Sequence, residues 1–223
     1  MIASNASTRG SSDEPRPLLR GVLHLVAAVL APAGLVALMF IADSPRRYVG
    51  GAVFATSLIL LYMSSASYHL VPWPDRLRGV MKRIDHSMIF LFIAGTYTPF
   101  CLIVLDYAWG IPMLAVVWTL AAIGVLSKVF WPYAPRWLTV TPYLALGWIG
   151  VIPAVQVVSA MSGGRLALLA LGGGLYTVGA VIYARKWPNP FPRVFGFHEI
   201  FHACVIAGSA IHFALIAIYV ANA

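Results

Sequence analysis

Residues 197–220 read FHEIFHACVIAGSAIHFALIAIYV, with Glu199 as the only formally charged residue in the run. Coiled as an α-helix this stretch is about 36 Å long, enough to cross a hydrocarbon core of roughly 30 Å. A membrane span is the reading that follows, and it sets the fold class for the rest of the chain. At its mouth, His198, Glu199, Ile200, Phe201 and His202 spell H-E-x-x-H. On a helix, positions i and i+4 share one face about 6 Å apart along the axis, so both imidazoles can aim at one metal ion. Polar groups at membrane depth are costly and mark function.

Working outward, six further apolar stretches of similar length run from Leu18 to Ala42, Tyr48 to Leu70, Ile84 to Leu105, Gly110 to Phe130, Thr139 to Met161 and Leu166 to Ala184. Of the 223 residues 61% are hydrophobic and only 10% charged, a composition that excludes an ordinary soluble domain. The expectation is an all-α integral membrane protein, a bundle of seven transmembrane helices over residues 18–223. Ahead of it, residues 1–17 form a polar tail without an apolar core or a small-residue cleavage site. That tail is expected to be a disordered cytosolic extension and not a cleaved signal peptide.

The net charge of +8 resembles that of a nucleic-acid binder until it is placed on the topology. Arg9, Arg16, Arg20, Arg76, Arg78, Lys82, Arg83, Lys128, Arg136, Arg185, Lys186 and Arg193 fall on the side of the amino terminus; Arg46, Arg47 and Arg165 fall on the other. Twelve against three puts the amino terminus in the cytosol and, after seven spans, the carboxyl terminus outside. The basic residues are then expected to read anionic lipid headgroups, with no nucleic-acid partner. The basic-side loops repeat a theme of proline, an interfacial tryptophan and arginine, as in Val71 to Arg76, Trp131 to Arg136 and Trp187 to Arg193, which suits anchoring.

Several motifs have plainer readings. Cys101 and Cys204 lie in spans without C-x-x-C spacing and read as small buried residues. Gly172, Gly173 and Gly174 lack the lysine of a phosphate loop and suit close helix approach. Pro32, Pro99, Pro142 and Pro153 suggest kinks or shifted span boundaries.

The titratable residues gather at one depth. His69 closes the second span, Asp85 opens the third, and His198 and His202 open the seventh, all toward the basic side. Three imidazoles and a carboxylate from separate segments suit zinc (Zn2+) held by three protein ligands, with an open position for water. Ser65, four residues before His69, lies on the same helical face; it can orient a ligand, water or substrate, or simply bond back to its own helix as a packing residue. His24 and His86 are weaker candidates, suited to supporting or packing roles. His212 lies about 15 Å beyond His202 along the helix and reads as a hydrogen-bonded core histidine.

Lys82 to Ser87, continuing to Ala94-Gly95-Thr96-Tyr97-Thr98-Pro99-Phe100, resembles the third span of the hemolysin III family. Ser65 to His69 matches that family's S-x-x-x-H element, Leu23 to Ala27 resembles its first span, and Phe197 to His202 with Gly208-Ser209 and His212-Phe213 matches its last. The family is grouped with the adiponectin and progestin receptors and the alkaline ceramidases. The resemblance implies zinc on His69, His198 and His202, with Asp85 contacting the metal-bound water. It also implies a bacterial inner-membrane protein of membrane homeostasis. The slot of Glu199 is not acidic in the adiponectin receptors, which makes Asp85 the better base and Glu199 a helix-terminal carboxylate. The expected chemistry is hydrolysis of a small lipid-like substrate, a ceramide-like amide taken from among the membrane lipids, with Asp85 handling the proton of the attacking water and Ser65 supporting the oxyanion. A non-catalytic zinc-stabilised sensor, a hemolysin-like pore and an H-E-x-x-H membrane metalloprotease remain alternatives.

Overall fold

A computed structural model describes residues 17–131 and 134–222, so most of the tail and the Pro132-Tyr133 step lie outside the described residues. The described chain is helical: α1 (Val22–Ile41), α2 (Pro45–Leu70), α3 (Asp75–Pro99), α4 (Tyr107–Phe130), α5 (Arg136–Trp148), α6 (Ala154–Ala160), α7 (Gly163–Arg185) and α8 (Phe197–Asn222). Six helices are long and apolar enough to cross a membrane, and the α5–α6 pair, bent by 58°, makes a seventh span if counted as one. The protein is an all-α multi-span membrane protein.

Two spans depart from their hydropathy outlines for physical reasons. α3 begins at Asp75, nine residues before the apolar run at Ile84, so Arg76, Arg78, Lys82 and Arg83 sit on helix and not on loop. Hydropathy registers where apolar composition starts, whereas the helix starts where Pro74 ends the preceding loop. The fifth span is broken: α5 passes through a 3₁₀ turn at Ile149–Val151, and Pro153 stands between that turn and α6. Pro99 has a comparable effect, handing α3 over to a π-turn at Phe100–Val104, as expected where proline cannot donate to the helical ladder.

The bundle inverts the soluble pattern. Phe40, Phe130 and Val155 are 85%, 80% and 84% exposed, while His24, Asp85, Lys128, Glu199 and His202 are buried. Lipid accounts for the first group; the second calls for internal partners. α2 lies centrally, packed on α1, α3 and α8, with Leu38, Phe54, Phe92, Ile216 and Val220 at the shared core. A second core of Phe90, Val117, Ala121 and Leu146 ties α3, α4 and α5 together.

The glycine triplet divides. A Cβ on Gly172 would lie 2.3 Å from the His212 ring, so this glycine does permit close approach of α7 to α8. Gly173 and Gly174 meet nothing within 4 Å and border a cavity instead. Both cysteines are free thiols, Cys101 buried and Cys204 partly so.

Candidate metal centre and its cavity

The site begins with how the amino-terminal segment is tied down. Leu18 and Leu19 donate backbone N–H bonds to the carbonyls of Arg193 and Val194 at 3.0 and 3.2 Å, fastening the segment just before α1 to the loop before α8. Gly21 then turns with φ 84°, a left-handed conformation in which a Cβ would also lie 2.7 Å from Cβ of His69. The turn delivers Arg20 to Glu199, with which it forms an ion pair. The other Glu199 oxygen accepts the backbone N–H of Gly196 at 2.8 Å, the return bond of a capping box at the start of α8. Asn189 Oδ1 accepts the N–H of Phe197 at 3.2 Å. These bonds fix the start of α8, and His198 and His202 project from its first two turns.

On that frame His69, His198 and His202 converge. Each offers one ring nitrogen, and the three atoms lie within 4.8 Å of one another. The Nε2 atoms of His198 and His69 are 3.2 Å apart. Tetrahedral zinc with Zn–N bonds of about 2.0–2.1 Å needs nitrogens about 3.3 Å apart, so one pair already has that spacing and the rest needs a small inward rotation. All-imidazole donors suit zinc, and no cysteine enters the set. The residues present therefore fit the ion. α2 and α8 are held in register just deeper by a hydrogen bond between the Tyr62 hydroxyl and Ser209 Oγ, both buried.

Asp85 and Ser65 share a cavity wall with two of the three histidines. Both are buried, at 8% and 2% exposure, they face each other, and together with His198 and His202 they line one cavity. Ser64 bonds back to the Leu61 carbonyl as a packing serine does, whereas Ser65 makes no such bond among the described residues. Tyr143 and Tyr183 line the same cavity, and the Tyr143 hydroxyl donates to the His86 carbonyl at 2.9 Å. The cavity has a volume of about 610 Å³ and runs from this polar end past Phe92, Phe100, Val104 and Leu166 to His212. Its walls away from the histidines are overwhelmingly apolar, and its size is that of a small-molecule or acyl-chain site.

Other titratable residues take different places. His24 stacks on His202 with ring centroids 3.8 Å apart and planes 6° from parallel, closer to the cluster than its position in the first span suggests. His86 lines the same cavity. His212 Nε2 lies 3.2 Å from the Leu169 carbonyl, consistent with a core histidine away from the cluster. Lys128, expected among the headgroup-reading charges, is instead 6% exposed inside the bundle. A hydropathy profile cannot reveal that, because it carries no information on which helix face turns inward.

A model of the Haemolysin-III related family matches residues 13–213. The chain is 34% identical to the Hemolysin-3 homolog of Bacillus subtilis (strain 168) over 205 residues, covering 91% of this chain and 93% of that protein. It is 32% identical to Hemolysin-3 of Bacillus cereus over 219 residues, covering 96% and 95%. A more distant likeness, 30% over 188 residues, covers 77% of this chain and 42% of the adiponectin receptor protein of Drosophila melanogaster. With a helical bundle of six or seven spans and bacterial relatives along almost its full length, this chain is a multi-pass protein of the bacterial cell membrane and belongs to the Haemolysin-III related family.

Proposed function

We propose that the protein is a zinc-dependent hydrolase that cleaves a lipid amide of the ceramide class within the inner leaflet. One observation carries this reading: two of the three clustered histidines, His198 and His202, line an apolar cavity of about 610 Å³ whose wall also holds Asp85 and Ser65. Metal ligands alone suit a structural site, but metal ligands beside a carboxylate, a hydroxyl and a lipid-sized volume suit chemistry.

A bound zinc ion supplies Lewis acidity toward a carbonyl oxygen and makes water nucleophilic near neutral pH. The chain's residues do the rest. The apolar walls receive the acyl chain and keep bulk water out. Asp85 takes a proton from the attacking water and passes it to the amine nitrogen as the C–N bond breaks, so that amide and water become carboxylic acid and amine. Ser65 donates its hydroxyl proton in a hydrogen bond to the carbonyl oxygen as negative charge develops there. Glu199 has no part in this: one of its oxygens is held by Arg20 and the other by Gly196 N–H, which also disfavours the metalloprotease reading.

The test is fatty-acid release from a panel of N-acyl lipids by the protein reconstituted in liposomes. Release is expected from at least one long-chain amide, lost with a zinc chelator and restored by zinc. Zinc-loaded protein that releases nothing across the panel would favour the non-catalytic sensor.

A further inference from the structure

Beside the histidine cluster lies a second, polar pocket of about 240 Å³ between α3, α4, α5 and α7. Four cations line it, Lys82 and Arg83 from α3, Lys128 from α4 and Arg136 from α5, and among the described residues no carboxylate does. Lys128 is 6% exposed; its ammonium lies 5.4 Å from the Tyr143 ring centre and has no hydrogen bond or ion pair among the described residues. The Arg83 Nε is buried and likewise without a partner there. Like charges gathered without an acid among the described residues repel one another, so this arrangement calls for an anion.

The pocket also shares His86, Thr139 and Tyr183 with the apolar cavity. An anion bound here therefore sits where a hydrocarbon chain attached to it meets apolar walls. Arginine forks and a lysine point charge match phosphate oxygens. We propose that this pocket binds the phosphate headgroup of an anionic membrane phospholipid. The site stands independently of any hydrolysis, since none of its four cations belongs to the histidine cluster.

Thermal unfolding of the full chain, purified in a neutral detergent, tests it. Added phosphatidylglycerol should raise the wild-type midpoint on the order of 5–10 °C above phosphatidylcholine at a hundredfold excess over Kd. Lys128→Met should abolish that difference and, having lost an uncompensated charge, unfold no earlier than wild type without lipid. Lys128→Arg and the exposed-residue control Arg76→Gln should keep the difference. Arg83→Gln, which leaves Lys128 in place, should reduce it and serves as the second variant if Lys128→Met does not fold. An equal rise with phosphatidylcholine, an equal rise with inorganic phosphate alone, or an undiminished rise in both Lys128→Met and Arg83→Gln would overturn the lipid site.

Discussion

His69→Ala, His198→Ala and His202→Ala are each expected to leave the purified protein nearly free of zinc, while His212→Ala keeps a wild-type content. The three ligands come from α2 and α8, so loss of any one leaves two nitrogens and an ion held far more weakly. Because the folded bundle assembles the site and the unfolded chain does not, bound metal is stabilising: about 4.1 kcal/mol at free zinc a thousandfold above Kd. At about 2–4 °C per kcal/mol for a chain of this size, losing that contribution lowers the unfolding midpoint by on the order of 10 °C. Elemental analysis beside a melting curve for the four variants checks both parts. Full zinc retention in all three ligand variants would remove the site.

Asp85→Asn should separate metal binding from chemistry. Asp85 comes from α3 and is not among the clustered ligands, so zinc content and melting should stay near wild type. Lipid-amide hydrolysis should fall by about 10²–10⁴-fold, the usual contribution of a positioned general acid or base. Glu199→Gln should behave in the opposite sense. Its carboxylate is 1% exposed and paired with Arg20, so its loss weakens the junction between the amino-terminal segment and α8. Breaking a well-buried pair costs about 3–5 kcal/mol, and Arg20, at 21% exposure, keeps enough water to bring the cost below that range. Turnover per zinc-loaded molecule should hold while the melting point drops. A dead Glu199→Gln with an active Asp85→Asn would instead favour the protease reading.

What the sequence discloses about this site depends on depth. His69 at the end of one apolar run and His198 at the start of another must lie at the same face of the membrane, and the i, i+4 spacing brings His202 onto the same side of its helix. Span ends and helical period thus placed at one depth three histidines whose ring nitrogens the structure brings within 4.8 Å. Contacts across the bundle have no such signal. Arg20 meets Glu199 over a separation of 179 residues, and neither residue type nor spacing announces the pair. His24 stacking on His202 depends on the rotation of α1 about its axis, to which span boundaries are blind. Lys128 lies two residues from the end of α4, where hydropathy suggests a headgroup anchor; only packing against Tyr143 turns it inward. The broken fifth span shows the limit again: Pro153 suggested a kink or a moved boundary, and the choice depended on how α5 and α6 pack.

X-ray absorption at the zinc edge on the purified protein decides whether three histidines of this chain hold a single zinc ion with one position left to water. One zinc per chain is expected, with a first shell of three imidazole nitrogens and one oxygen at about 2.0–2.1 Å. A first shell containing sulfur at about 2.3 Å, four imidazoles with no oxygen, or protein that binds no zinc when metal is supplied would contradict it.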